Sequence, residues 1–266
     1  MGKYLSLIRI MLKITFLGTG TSQGIPVIGS THPVCLSADP RDKRLRVSIL
    51  IQWANQNVVI DCGPDFRQQM LTHPISSLDA LLFTHEHADH TAGLDDLRPF
   101  FFRQGKLNVF LDDRVEEALK SRFAYIFATK NRYPGVPELQ LHRVDKNTSF
   151  DLFGKTVVPI EVMHQNLPVF GYRIDDFAYL TDVKTISADQ IKKLQGLDVL
   201  VINALREAPH PSHLNKEEAL ELIAVIRPKR TYLTHISHLM GFHAEVEKTL
   251  PENIFLAHDN LQITSN

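Results

Sequence analysis

The stretch Thr84-His85-Glu86-His87-Ala88-Asp89-His90 carries the decisive reading of this chain. It follows an apolar run, Leu78 to Phe83, that reads as a strand, and it precedes a bend at Gly93. Histidines and carboxylates packed this closely at the end of an apolar strand are poor core material. On a turn, His85 and His87 point one way while Asp89 and His90 point another. Imidazole nitrogens and carboxylate oxygens suit Zn²⁺, Mn²⁺ and Fe²⁺. A histidine-rich surface loop is the competing reading, and the density of donors argues against it.

Strand-like runs recur on both sides of this cluster. Leu12 to Leu17 ends in the tight turn Gly18-Thr19-Gly20, and Val47 to Trp53 pairs with Val58 to Ile60 across an Asn55-Gln56-Asn57 turn. Downstream come Val157 to Val162, Val169 to Ile174, Phe177 to Leu180, Val199 to Ile202 and Tyr232 to Thr234. Helical spacing is predicted over Val115 to Phe127, after a capping box at Ser187 and Gln190, and after another at Asn215 and Glu218. Strands in both halves, with helices between and after them, predict an α/β chain built as a four-layer αββα sandwich of two mixed sheets. A three-layer α/β fold is not excluded by pattern alone. Residues 1–11 read as an N-terminal extension and 12–266 as a single domain.

A chain of 266 residues can bury a large core, and 44% apolar residues is ordinary for a globular protein. The 29 basic and 30 acidic residues leave a net charge of -1, so no global electrostatic grip on nucleic acid is indicated. Two cysteines, Cys35 and Cys62, exclude a disulfide framework and point to a cytoplasmic location. No apolar run approaches the roughly 20 residues of a membrane span.

The H-x-H-x-D-H run resembles the signature of the metallo-β-lactamase superfamily, and the rest of the chain is similar to that family in order. By resemblance, Asp61 is the acid that orients the ligands. His85, His87 and His164 hold one metal, and Asp89, His90 and His235 hold a second. Asp182 bridges the two. The resemblance implies two divalent ions, Zn or Mn with Fe also compatible, about 3.5–4 Å apart, that lower the pKa of a shared water to about 7 and deliver a bridging hydroxide. Asp89 and Asp61 then serve catalysis through the centre. Protonation of the leaving oxygen falls to His213, just before the helix capped by Asn215, with His210 as the other candidate. The helix end lowers a histidine's pKa while a bound phosphate raises it.

The opening Phe16-Leu17-Gly18-Thr19-Gly20-Thr21-Ser22-Gln23-Gly24-Ile25-Pro26 completes no dinucleotide fingerprint. It resembles instead the start of the PhnP-type phosphodiesterases, which open a cyclic ribose phosphate. The likeness continues through Asp39 to Arg46 and Leu233 to His238. That branch often carries a separate structural zinc on three cysteines and a histidine. Here Gly29-Ser30-Thr31-His32-Pro33-Val34-Cys35 offers one thiol, and His32, Cys35 and His238 make an incomplete set, so loss of that site is expected. Asp259 resembles a late family acid near the site. The basic run Arg41 to Arg46 either meets a substrate phosphate or forms a solvated face.

The implied activity is a metal-dependent phosphodiesterase acting on a small or cyclic nucleotide-like phosphodiester. Two alternatives stand beside it: a tRNA 3′-processing endonuclease of the same superfamily, and a non-catalytic accessory or carrier protein in cofactor biosynthesis. The partner expected is the small phosphodiester, with a homodimer compatible and neither nucleic acid nor membrane indicated.

Overall fold

The computed structural model describes residues 11–265. The N-terminal extension therefore lies outside the described residues, Met11 apart. Fourteen strands are present among them: β1 (Leu12–Gly18), β2 (Ser48–Trp53), β3 (Gln56–Ile60), β4 (Ala80–Leu82), β5 (Leu107–Leu111), β6 (Leu139–Arg143), β7 (Phe150–Leu152), β8 (Lys155–His164), β9 (Leu167–Ile174), β10 (Phe177–Tyr179), β11 (Val199–Asn203), β12 (Arg230–Thr234), β13 (Ile254–Leu256) and β14 (Gln262–Ser265). They form two seven-stranded sheets, ordered β14-β1-β2-β3-β4-β5-β6 and β13-β12-β11-β10-β9-β8-β7. Both are mixed. Antiparallel pairing runs from β14 to β3 and from β7 to β10. Parallel pairing takes over from β3 to β6 and from β10 to β13.

The layering follows from the period of two. Ile49 and Ile51 of β2 and Val58 and Ile60 of β3 turn inward to meet Tyr172, Ile174, Val199 and Val201 of the other sheet. Their neighbours Leu50 and Val59 turn outward and pack under the helices Phe66–Thr72, Arg98–Gln104 and Asp113–Arg122, against Phe66, Phe100, Val115 and Leu119. On the far side, Leu200 and Ile202 of β11 pack against Ala219, Ile223 and Ile226 of the helix Lys216–Ile226. Both faces of each sheet are thus apolar. This is the expected four-layer αββα sandwich.

Some local expectations shift. The β2–β3 turn falls on Ala54 and Asn55, with Ala54 at φ +48°, one residue earlier than the asparagine pattern suggests. The helix expected over 115–127 breaks at Phe123 into Asp113–Arg122 and Ala124–Phe127. Ser187 caps Gln190 N, but the Gln190 side chain accepts from Glu161 N instead of reaching back, so the box is one-sided. The Asn215–Glu218 box is reciprocal. No helix among the described residues is long and apolar enough to cross a membrane.

Candidate metal centre

The chemistry-bearing residues sit where strands of both sheets end on the same edge. Asp61 follows β3, the Thr84–His90 loop follows β4, His164 ends β8, Asp182 follows β10 and His235 follows β12. In parallel strands such ends come together, and open α/β sheets place ligands there. Three of these residues take left-handed backbone: Asp61 at φ +64°, Asp182 at +57° and His235 at +54°. Non-glycine residues adopt that conformation at a cost of order 1–3 kcal/mol and hold it where the surroundings enforce it. The left-handed step turns the chain sharply off the strand.

The side chains converge. His90 Nε2 lies 3.3 Å from Asp89 Oδ2 and 3.2 Å from Asp182 Oδ2. His235 Nε2 lies 3.7 Å from Asp89 Oδ2 and 3.4 Å from Asp182 Oδ1. Donor atoms of Asp89, His90 and His235 fall within 4.8 Å of one another, as do those of His85, His90 and Asp182. His87 packs edge-on against His85, ring centroids 4.6 Å apart, and against His164 at 5.4 Å. All seven expected ligands are therefore brought into one cluster, with Asp182 between the two sides.

His213, expected as a proton donor, enters the cluster more deeply than its sequence position suggests. It forms a further donor triad with His164 and Asp182, its Nδ1 3.5 Å from Asp182 Oδ1. Its ring stacks on His235 at 4.9 Å. Burial and the neighbouring His235 push its pKa down to about 3. His210 stands one ring further out, 5.1 Å from His213, with its Nδ1 near Ser212.

Asp61 is placed to orient rather than to coordinate. Its Oδ2 lies 2.7 Å from His90 Nδ1 and accepts from Thr84 Oγ1 at 2.8 Å, while Oδ1 accepts from Thr84 N at 2.9 Å. Burial opposes a charge on His90, yet Asp89, Asp61 and Asp182 around it raise its pKa well above the ordinary value. If Nδ1–H is given to Asp61, Nε2 is the nitrogen left to meet a cation. Burial raises the pKa of Asp61 and lowers those of His85 and His87. Burial also works against the charge on Asp89 and Asp182, yet the histidines beside them hold both low.

Divalent ions fit this donor set. His85 Nε2, His90 Nε2, His164 Nδ1, His213 Nδ1 and both nitrogens of His235 are buried without hydrogen-bond partners among the described residues. Buried polar atoms are seldom left so, and imidazole and carboxylate donors suit Zn²⁺, Mn²⁺ or Fe²⁺.

Two supports escape the sequence reading. Asn203 closes β11 and clamps the backbone beside Asp182: its Oδ1 accepts from Val183 N at 2.7 Å, and its Nδ2 donates to Val183 O at 3.1 Å. A buried asparagine ending an otherwise apolar strand is the signal that could have found it. Arg122 and Arg114 brace the loop from outside, Arg122 on the Glu86 carbonyl and Arg114 on the Glu86 carboxylate at 3.1 Å.

Elsewhere, His32, Cys35 and His238 do not form a donor triad among the described residues. His32 and His238 meet edge to face at 4.9 Å, His32 Nδ1 caps Val34 N, and the Cys35 thiol accepts from Val27 N. Asp259 lies in a separate buried knot, accepting from Thr19 Oγ1 at 2.7 Å and Leu45 N at 2.7 Å.

Comparison with known proteins agrees with this geometry. Residues 56–236 match the family model described as a beta-lactamase superfamily domain. An octanoyltransferase of Porphyromonas gingivalis is 42% identical over 253 residues, which is 94% of this chain and 51% of that protein. A ribonuclease Z of a Mycobacterium species is 26% identical over 73% of this chain and 66% of its own length. The chain thus spans about half of the first of these relatives. A crystal structure of a diphosphatase from the PhnP family superposes with a TM-score of 0.89 at 39% identity, covering 96% of this chain and 97% of the other. A match of that closeness over both whole chains, joined to a metal-loop sequence that the structure folds around one donor cluster, means that the chain belongs to the metallo-β-lactamase superfamily, in its PhnP-type branch.

Proposed function

We propose that the chain is a dinuclear metal-dependent phosphodiesterase acting on a small or cyclic nucleotide-like phosphodiester. The observation that carries this reading is the convergence of His85, His87, His164, Asp89, His90, His235 and Asp182, with buried nitrogens that have no hydrogen-bond partner among the described residues. His85, His87 and His164 would hold one ion, Asp89, His90 and His235 the other, and Asp182 both. When bound, two such ions supply Lewis-acid polarisation of a phosphate and an acidified water.

The remaining work falls to side chains. Asp61 fixes the tautomer and tilt of His90. Asn203 holds the Asp182 turn. His213 is placed to hold the proton that the leaving oxygen needs. Its burial keeps it neutral, and a phosphate anion in the site favours its charged form. The octanoyl transfer named for the Porphyromonas protein is not carried over to this chain, which spans 51% of that protein's length.

The test is metal content per chain together with turnover of bis(p-nitrophenyl) phosphate with added Mn²⁺ or Zn²⁺, in the wild type and in Asp182→Ala. About two metals per wild-type chain, with metal and turnover both lost in the variant, is the expected result. Full metal content without cleavage of any diester would move the chain to the accessory-protein reading.

A further inference from the structure

Three hydrogen-bonded rungs run along β9 and tie it to the end of β4 and the metal loop in the other sheet. The Tyr172 hydroxyl donates to the Phe83 carbonyl at 2.6 Å, and Phe170 N donates to the Thr84 carbonyl at 2.9 Å. The third rung is made by a side chain from a helix. Arg114 Nη2 donates to the Pro168 carbonyl at 2.6 Å and to Glu86 Oε2 at 3.1 Å. Arg114 Nε, 3.5 Å from Asp112 Oδ2, has no hydrogen-bond partner among the described residues, so the link rests on Nη2. Residues 168, 170 and 172 alternate along the strand and so share one face.

The third rung lies next to His164. In the β8–β9 hairpin His164 pairs with Leu167, and Met163 pairs with Pro168. His85 has its ring held from within its own loop, Nδ1 lying 3.0 Å from Thr84 Oγ1. His164 has no such hold: its Nδ1 is buried without a hydrogen-bond partner among the described residues. Its ring therefore takes its place from the backbone of the hairpin. On one side that backbone is tied to the turn after Asp182, Met163 N donating to Thr185 O at 2.8 Å and Lys184 N to Met163 O at 2.7 Å. On the other side Arg114 ties it to the loop that carries His85 and His87. The donors on the opposite side of Asp182 have a support of their own, Asp61 on His90. The Arg114–Glu86 pair is partly exposed, and such pairs add little to stability by themselves. What the rung supplies is a fixed distance between two loops.

Building on the dinuclear reading, we infer that Arg114 is a positioning residue. It sets the span between the metal loop and the His164 hairpin, and so governs retention of the ion held by His85, His87 and His164 while leaving the other ion in place.

The experiment challenges the zinc-loaded full chain with a graded zinc chelator. Zinc kept per chain is read by elemental analysis, with thermal unfolding measured alongside. The wild type is expected to keep about two equivalents. Arg114→Ala is expected to release one of them at a free zinc concentration about 10–100-fold higher than the wild type does, the scale for a group that orients a ligand without touching the metal. The other equivalent leaves as it does in the wild type. In His164→Ala the same equivalent is lost, and adding Arg114→Ala leaves the remaining one as tightly held. Glu86→Gln, which keeps the size but removes the charge that meets Arg114, shifts the same equivalent by less, and it carries the test if Arg114→Ala does not fold. Wild-type retention in a folded Arg114→Ala overturns the inference. So does equal weakening of both equivalents with a lowered Tm, which is what a merely structural Arg114 would give. A wild type that never holds more than one equivalent sinks the dinuclear reading and this inference with it. Two equivalents in the wild type and in Arg114→Ala alike sink only the role of Arg114.

Discussion

Asp61 Oδ2 and His90 Nδ1 lie 2.7 Å apart, both without solvent exposure. This one contact favours the proton on Nδ1 of the His90 ring, and so leaves Nε2 as the nitrogen that can serve a metal ion. Asp61→Asn keeps the size but sets an amide N–H against either Thr84 or His90. The expected result is a 10–100-fold loss of metal affinity or of kcat/KM with the fold retained, measured by metal titration and diester turnover. Wild-type affinity in the variant would leave Asp61 as a mere packing partner.

Gly63 approaches the metal loop closely. A Cβ at this position would sit 2.0 Å from the Asp89 carbonyl oxygen, a backbone atom that cannot swing aside. The two segments are laced by Cys62 N to His90 O at 2.9 Å and Gly93 N to Cys62 O at 2.8 Å. Gly63→Ala is expected to lower stability by about 1–3 kcal/mol and to reduce metal stoichiometry together with it. Thermal unfolding and elemental analysis check the pair, and an alanine variant with full metal would refute the close approach.

His243 gives a prediction in pH. It lies 3.2 Å from Arg44 Nη2 through Nδ1, and burial together with that guanidinium lowers its pKa to about 4. The folded state thus resists a proton that the unfolded chain accepts at about 6.5. Its contribution to stability is complete above pH 6.5 and is lost as pH falls towards 4, by something on the order of 1–2 kcal/mol. Denaturant midpoints of the wild type and of His243→Gln, which stays neutral, should converge across that window as the pH falls. Parallel curves would mean that His243 titrates as an exposed histidine does.

How much of this was legible follows from where the determinants lie. The metal loop is local, so donors, strand and bend were all readable in one stretch. His164, Asp182 and His235 were readable because each ends an apolar strand and their order matches a known family. The depth of His213 was not readable. It depends on the long-range contacts Leu205 N to Leu214 O and Leu214 N to Val183 O, which carry the histidine onto Asp182. Ala54 hides its turn because alanine at positive φ carries no turn signature. Gln190 looked like a capping residue until Glu161, from another strand, claimed its side chain. The edge strands β7 and β13 are only three residues long, too short for a period to show.

The donors divide cleanly between the sheets. His85, His87, Asp89 and His90 follow β4 in one, and in the other His164 ends β8 while Asp182 and His235 follow β10 and β12. A ribosome-bound chain that has made only β1 to β6 therefore owns half a chelate. Tight loading must wait until the segment through His235 has emerged and docked, so ion capture reports the meeting of the two sheets rather than the folding of either.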